Sequence, residues 1–311
     1  MSGKTEIYIA SAHDRRSGVE QILSEFDLSD FSGLSVALKA NYNSADPPPA
    51  STHIDTLDAI GKVILEQKPS RLTLAERSGM GNTQAVLEEH GVTALARERD
   101  FSAIVLDTID RNDWHEVQGP GLHWSRGFFL ANVFARADRV VQTCCLKTHR
   151  YGGHFTMSLK NSVGIVAKRV PGLNYDFMNE LHRSPHQRAM IAEINKFYRT
   201  DLIVMDAVEG FSSGGPDHGK LIQPGLIIAG TDRIAIDAVG VGLLRSFGTV
   251  PDVMNGRIFE LEQIARAAEL GVGVASADRI TLIPLDTACE ATVQKIQLQL
   301  DNDSLPPDIH E

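Results

Sequence analysis

The chain has 311 residues, of which 42% are hydrophobic and 23% charged, with a formal net charge of -10 and a pI near 5.6. This composition is that of a globular protein with enough apolar residues for a sizeable core. The net negative charge repels phosphate backbones and anionic lipids, so we expect neither nucleic acid nor a membrane as a partner. The sequence contains no transmembrane-length apolar segment and no signal-peptide pattern, and we expect a cytoplasmic protein.

Short apolar segments alternate with longer amphipathic ones along the chain. The apolar segments predict strands at residues 6–10, 34–40, 71–75, 102–106, 139–143, 202–206, 226–229 and 280–283. Helices are predicted at 19–26 after Asp14, after Ser51 or Thr52, from Asn82 to Gly91, from Ser184 to about Tyr198, from Asp232 through Leu244, from Asn255 to Gly271, and at 288–300. This alternation predicts an α/β fold with a mostly parallel sheet and helices on both faces.

The organisation predicted from this pattern is one α/β domain over residues 1–300, with 1–135 and 136–300 as alternative lobes. A polar, proline-containing tail at 301–311 is expected to be mobile. In such folds the loops that follow parallel strands meet at one edge of the sheet, where ligands bind. Residues 143–184 have no long helix signal and are rich in polar, basic and glycine residues, which is typical of a functional loop.

The three cysteines are Cys144, Cys145 and Cys289, and they form no C-x-x-C pair. We therefore expect neither a cysteine zinc site nor an iron–sulfur cluster from this chain alone. Their predicted role is that of reduced, buried, small hydrophobic residues in a cytosolic protein.

The first candidate group of functional residues follows the strand at 139–143. It comprises, in chain order, Lys147, Thr148, His149, Thr156, Ser158, Lys160 and Asn161. The lysines supply charge, and the hydroxyl and amide groups supply donors, for recognition of a carboxylate or phosphate. His149 could act as a general base or a metal ligand. The alternative is a solvated loop whose lysines only raise solubility.

A second group follows the strand at 202–206, which ends in Asp206. The glycines of the loop after it, Gly214 and Gly215, allow backbone N–H groups to approach an anion closely. Alternatively, Asp206, Asp217 and His218, with Glu209 nearby, could ligate a hard cation such as Mg²⁺ or Mn²⁺. A plain turn is the competing interpretation of the glycine-rich stretch.

Two further positions carry polar residues in apolar surroundings. Lys39 and Asn41 stand at the end of the strand at 34–40, the same predicted edge as the other groups. Asp237 lies inside an apolar helical segment and needs a partner, for which one of these lysines is a candidate.

Taken in order, these blocks resemble the bacterial and archaeal domain-of-unknown-function 362 family, DUF362. The resemblance is carried by Lys39-Ala40-Asn41, Lys147-Thr148-His149, Thr156 with Ser158-Leu159-Lys160-Asn161 and Gly164, Asp206, Gly214-Gly215-Pro216, and Thr231-Asp232 with Ala235 and Asp237-Ala238. It implies an α/β domain without an agreed activity. Many members carry a ferredoxin-type iron–sulfur segment, for which this chain has no cysteines. Residues 210–215 are also similar to a short stretch of nickel-pincer lactate racemases, which act on a 2-hydroxy acid.

The leading hypothesis is an enzyme that binds a small anionic substrate, a carboxylate or a phosphate, with a divalent metal ion as an optional cofactor. The assigned residues are His149, Lys160 and Lys147 for catalysis, Lys39, Asn41, Thr156, Asn161, Gly214 and Gly215 for substrate binding, and Asp206, Asp217 and His218 for metal. The alternative is a non-catalytic accessory or carrier protein for an iron–sulfur or redox system.

Two questions about the lysines and the partners stay open at this point. The lysines could form internal ion pairs with Asp206 and Asp237 instead of binding a ligand. A second copy of the chain and a redox protein are both candidate partners. The functional hypothesis depends on one spatial expectation, namely that Lys39, Lys147 and Lys160 converge around a shared hollow at the sheet edge.

Overall fold

A computed structural model of the protein describes residues 4–304. The strands are β1 (Thr5–Ser11), β2 (Ser35–Lys39), β3 (Arg71–Glu76), β4 (Ser102–Val105), β5 (Trp114–Val117), β6 (Phe128–Ala131), β7 (Arg139–His149), β8 (His154–Phe155), β9 (Leu202–Gly214), β10 (Gly219–Ile222), β11 (Leu226–Gly230) and β12 (Ile280–Pro284). The α-helices are α1 (Arg15–Leu23), α2 (Ile54–Glu66), α3 (Thr83–Glu89), α4 (Val92–Glu98), α5 (Asn132–Ala135), α6 (Ser158–Asn161), α7 (Phe177–Arg183), α8 (Gln187–Ile194), α9 (Arg233–Ser246), α10 (Pro251–Met254), α11 (Glu262–Glu269) and α12 (Thr287–Ser304).

The main sheet follows the strand order β12-β1-β11-β9-β7-β2-β3-β4, with β8 added to β7 and β10 to β9. The five strands from β9 to β4 are parallel, whereas β11 runs antiparallel to both of its neighbours. The chain leaves β2 toward β3 on one side and later returns to β7 on the other side. Such a reversal opens a crevice at the carboxyl ends of the strands. The predicted α/β class with a mostly parallel sheet is confirmed.

Both faces of the sheet are covered, as its alternating side chains require. Leu202 and Val204 of β9 belong to the core under α1 and α2, whereas Ile203 and Met205 belong to the opposite core under α9 and α12. Next to α9, the small β5–β6 sheet packs with α7 and α8 over β2 and β7. Burial on both faces explains why the parallel strands are nearly continuous apolar segments. None of the described helices is long and apolar enough to cross a membrane.

Two strands are longer than their apolar segments predict. The predicted strand at 139–143 continues to His149, and the one at 202–206 continues to Gly214. Their polar ends pair with each other, past an irregularity between Cys145 and Leu146, and with the short strands β8 and β10. The sequence pattern missed these extensions because they carry polar residues. They place the first part of the predicted 143–184 loop at the carboxyl edge of the sheet.

Three predicted helix starts are confirmed, because Asp14, Asn82 and Asp232 cap α1, α3 and α9 with side-chain hydrogen bonds. Three were wrong. His53 precedes α2 in place of Ser51 or Thr52, His186 precedes α8 in place of Ser184, and α11 begins seven residues after Asn255, at Glu262. Short polar residues also form local turns, as Ser184 does by accepting the His186 N–H, so composition alone misplaces caps. Helix α12 extends to Ser304, into the predicted tail, and residues 305–311 lie outside the described part of the chain.

Candidate functional site

A cavity of about 510 Å³ opens at the carboxyl edge of β2, β3 and β7. This volume lies within the range of about 300–1,000 Å³ that small-molecule sites occupy. The predicted site residues in its wall are Lys39, Asn41, His149, Thr156, Lys160 and Asn161. Lys147, Gly214 and Gly215 lie outside the wall, although Pro216 reaches it. Lys39 and Lys160 therefore share one hollow, and Lys147 stands behind it.

Lys39 forms a buried ion pair with Glu76 at one side of the cavity. Its Nζ lies 2.7 Å and 2.9 Å from the two carboxylate oxygens of Glu76 and 3.2 Å from Asn161 Oδ1. Burial lowers the pKa of Lys39 and raises that of Glu76, while each charge opposes the effect on its partner. Gly164 makes room for the lysine, because a Cβ there would lie 2.7 Å from Lys39 Cε. Lys39 thus holds Glu76 and Asn161 in place.

Lys160 and His149 face each other across Gly153. A Cβ on Gly153 would lie 2.8 Å from His149 Nδ1 and 2.9 Å from Lys160 Cε. The Lys160 amine makes no hydrogen bond or ion pair with any residue in the range 4–304. His149 Nδ1 is buried and likewise finds no partner within that range, and its ring contacts Tyr151 at a centroid distance of 5.8 Å. The Lys160 amine and the His149 imidazole can both transfer protons, and they lie close together without hydrogen-bond partners in the described part of the chain.

The electrostatic field at this pair is positive. Burial, Lys147 and Arg77 all lower the pKa of Lys160, to about 7. Burial, Lys160 and Lys147 also lower the pKa of His149 far below its usual range, so that its imidazole is neutral. An ordinary lysine has a pKa near 10.4, so Lys160 exists to a large extent as the free amine at neutral pH.

The hydrogen bonds of the two neighbouring cations explain this field. Lys147 Nζ donates to Pro49 O at 3.2 Å and to Ala50 O. Arg77 donates to Val163 O at 2.7 Å and to Val166 O at 2.9 Å. Carbonyl oxygens satisfy these donors but carry no full negative charge, so neither cation forms a direct ion pair, and carboxylates such as Glu76 and Asp176 oppose the charge of Arg77 only from a greater distance.

Helix α6, which carries Lys160, is fixed from below by Asp237 of α9. The Asp237 carboxyl accepts from Ser158 N at 2.7 Å and from Leu159 N at 3.2 Å. The expectation that a lysine is the partner of Asp237 was wrong, because the backbone N–H groups at the start of α6 occupy that role. Burial raises the pKa of Asp237 to about 8, and the two N–H donors oppose this rise. The hydrogen bonds to Asp237 fix the position of α6 and therefore that of Lys160.

The three predicted metal ligands are not brought together as one set. Asp206 accepts from Arg15 Nε at 2.9 Å and from Thr56 Oγ1 at 2.6 Å. Asp217 instead pairs with Arg150 at 2.7 Å and with His218 Nδ1 at 2.9 Å. Across residues 4–304, no group of three or more histidine, cysteine, aspartate or glutamate side chains could hold a metal ion. Arg15 and Arg150 pair with the two carboxylates that were predicted to bind a metal ion.

Gly214 and Gly215 close the turn between β9 and β10. Both have positive φ, +80° and +62°, and Gly215 N donates to His218 O at 2.7 Å. A Cβ on Gly215 would lie 2.1 Å from Thr148 O, so the glycine lets the turn pack against the end of β7. The positive φ angles and the close packing of the turn explain why glycines stand at these two positions.

Several residues of the cavity wall escaped the sequence analysis. Glu76 is one of them, although its position at the end of β3 is the same strand-end signal that indicated Lys39. Tyr151, Lys168 and His182 also line the cavity. Their only signal was the unusual length of the polar segment at 143–184, because His182 stands on α7 in no recognisable ligand spacing.

Fold and site together define an α/β protein with a ligand-sized cavity at the sheet edge. The model of the family described as Domain of unknown function (DUF362) matches residues 36–242, and the chain belongs to this family. The search of curated proteins found no match. Among solved structures, the lactate racemase apoprotein from Thermoanaerobacterium thermosaccharolyticum is similar, with 13% identity and a TM-score of 0.44, over 72% of this chain and 54% of that chain. This chain thus spans about half the length of that enzyme.

Proposed function

We propose that the protein is an enzyme that binds a small anionic substrate in the sheet-edge cavity and acts on it through Lys160 and His149. The observation that carries this proposal is the uncommitted pair itself, two titratable side chains at a cavity with no partner in the described chain. Burying such groups unpaired is unfavourable for folding. Groups of this kind, with strongly shifted pKa values in a cleft, are typical of functional sites.

The charges around the cavity support an anion as the ligand. Lys147 and Arg77 both repel a proton from Lys160, and an anion beside the amine would relieve that repulsion. Asn41, Thr156 and Asn161 add hydrogen-bonding groups to the wall. Glu76 and Asp176 lie in the same wall and offset part of the positive charge. A carboxylate with one negative charge suits this balance better than a doubly charged phosphate does.

The proposal assigns no metal-ligand role to Asp206, Asp217 or His218, because arginine side chains bind both carboxylates. The alternative of a redox accessory or carrier protein predicts lysines directed into solvent for contact with a partner. Lys147 is 1% exposed and Lys160 lines the cavity, which favours the small-molecule hypothesis instead.

A thermal-shift screen of the full chain against acetate, lactate, pyruvate and inorganic phosphate tests the proposal. We expect at least one carboxylate to raise the Tm, since a ligand at a hundred times its Kd stabilises the folded state by about 2.7 kcal/mol. Lys160→Met should abolish the shift, and Lys295→Met, which replaces an exposed lysine on α12, should retain it. The proposal fails if no anion shifts the wild type, or if the Lys160→Met protein responds equally.

A further inference from the structure

We infer that Lys160 is an amine nucleophile that condenses with the carbonyl group of a 2-oxo acid to form an iminium, or Schiff base. This inference rests on the proposed function, because it names the substrate class of the same cavity. Three features support it. The Lys160 nitrogen has no hydrogen-bond or ion-pair partner among residues 4–304, the electrostatic field around it favours the neutral amine, and His149 lies beside it.

The first feature is that the Lys160 nitrogen is not engaged elsewhere. Lys39 donates to Glu76 and Asn161, and Lys147 donates to two backbone carbonyls. Both therefore have their N–H groups tied into the protein. Lys160, in contrast, has no hydrogen-bond or ion-pair partner among residues 4–304 and stands in the cavity wall. A nucleophilic amine needs such a free lone pair directed at a substrate.

The second feature is the protonation state of that nitrogen. Because burial and two nearby cations lower the pKa of Lys160 to about 7, about half of the molecules carry the neutral amine at pH 7. At the same pH, a lysine with the ordinary pKa is neutral in only roughly one molecule in three thousand. Desolvation and a neighbouring cation are the usual means of activating a Schiff-base lysine.

The condensation balances without any oxidant or reductant. The Lys160 nitrogen attacks the carbonyl carbon, and the electron pair of the carbonyl bond moves to oxygen, which takes up a proton. The nitrogen loses one proton, and the hydroxyl group takes up a second proton from solvent and leaves as water while the nitrogen lone pair forms the C=N bond. In sum, amine, carbonyl compound and one proton give iminium and water. His149 flanks the same glycine as Lys160, and its neutral imidazole has one nitrogen that accepts and one that donates, so it can relay a proton between nitrogen and oxygen without becoming charged.

The field also selects among carbonyl compounds. An iminium is a cation, and Lys147 and Arg77 would repel it as they repel the proton on Lys160. A carboxylate on the carbon next to the carbonyl neutralises the new charge at the closest distance. The site therefore favours a 2-oxo acid over a simple ketone or aldehyde of the same size.

Trapping with sodium cyanoborohydride tests this inference on the full chain. Pyruvate is the 2-oxo acid probe, acetone is the matched ketone without a carboxylate, and lactate is the matched acid without a carbonyl. We expect pyruvate to add its own mass less one oxygen atom at the peptide that contains Lys160. Labelling at Lys160 should be at least about tenfold faster than at Lys295, which is exposed. Lys160→Met should lose this adduct.

The outcomes separate the inference from the proposed function. If pyruvate or lactate raises the Tm but pyruvate gives no adduct at Lys160, the Schiff-base inference is overturned and anion binding stands. If no anion in the screen raises the Tm and no adduct forms, both are overturned. Equal labelling by acetone and pyruvate would overturn the 2-oxo acid as the substrate class. Peptide mapping of the wild type locates the adduct even if the Lys160→Met protein fails to fold.

Discussion

Two groups of charged side chains occupy the carboxyl edge of the sheet, and they differ in how far their members satisfy one another. The Arg15 cluster consists of Arg15, Thr56, Asp206 and Glu209. Arg15 donates to both carboxylates, at 2.9 Å and 3.2 Å, and Thr56 donates to Asp206 at 2.6 Å. The amine of Lys160, by comparison, has no partner within the described chain. The first arrangement is satisfied within the protein, whereas the second leaves an amine without a partner among residues 4–304.

A charged residue at the end of a strand is therefore not by itself a sign of function. Asp206 on β9 and Lys160 on α6, which follows β7, were both candidate site residues. What separates the two regions is whether the charge finds its partner within the protein. A complete ion-pair cluster stabilises the fold, and an incomplete one retains interaction energy for a bound substrate at the expense of stability.

The largest effect is expected from breaking the Arg15 cluster. Asp206→Ala removes the acceptor of a buried threonine hydroxyl and one of the two partners of Arg15. Loss of a buried partner costs up to about 5 kcal/mol, and because Glu209 remains and Arg15 is partly exposed we expect about 2–3 kcal/mol. Urea unfolding measures the loss of free energy of unfolding.

The matched control for this variant is Asp55→Ala. Asp55 also pairs with an arginine, Arg16, but the Arg16 side chain is exposed and that of Asp55 is only partly buried, so the expected loss is below about 1 kcal/mol. The folded Asp206→Ala protein should still bind the same small carboxylate, because Asp206 is not in the cavity wall. Equal losses for the two variants would contradict the distinction between a buried cluster and a surface pair.

The same comparison shows how much the sequence could predict. The strand-end rule predicted that Lys39, Lys147 and Lys160 converge around one hollow, because parallel strands end at one edge. Lys39 and Lys160 do line the same cavity, whereas Lys147 lies outside its wall. The rule could not supply the partner of Asp206, which is Arg15, 191 residues away, or that of Asp237, which is a pair of backbone N–H groups. Partner choice depends on distances across the folded chain, and local composition does not contain them.

An intermediate effect is expected at Lys160, with the opposite sign. Lys160→Met should stabilise the ligand-free protein by about 1–2 kcal/mol at pH 6 and by less at pH 9. The folded-state pKa is about 7, below the ordinary value of 10.5, so below pH 7 the folded protein keeps a proton that its surroundings disfavour. Between pH 7 and 10.5 the folded amine loses this proton while the unfolded chain retains it, and the wild type gains stability with rising pH.

Urea unfolding of the wild type and of Lys160→Met at several pH values from pH 6 to pH 9 measures this difference in the free energy of unfolding. Lys295→Met provides the baseline for replacing an exposed lysine with methionine. A Lys160→Met protein that is less stable than the wild type at pH 6 would mean that the amine has a stabilising partner after all. The distinction between the two groups at the sheet edge would then be lost.

The smallest effect is expected at His149, where the measurement should show no change at all. Burial, Lys160 and Lys147 lower its pKa far below the usual range, so the ring should stay neutral from pH 5 to pH 8. An ordinary histidine with a pKa near 6.5 changes charge within this window. NMR of the ring resonances, assigned by their loss in His149→Phe and compared with a histidine-containing peptide, measures this. If the His149 resonances follow those of the peptide, the positive, desolvated surroundings that also lower the pKa of Lys160 are contradicted.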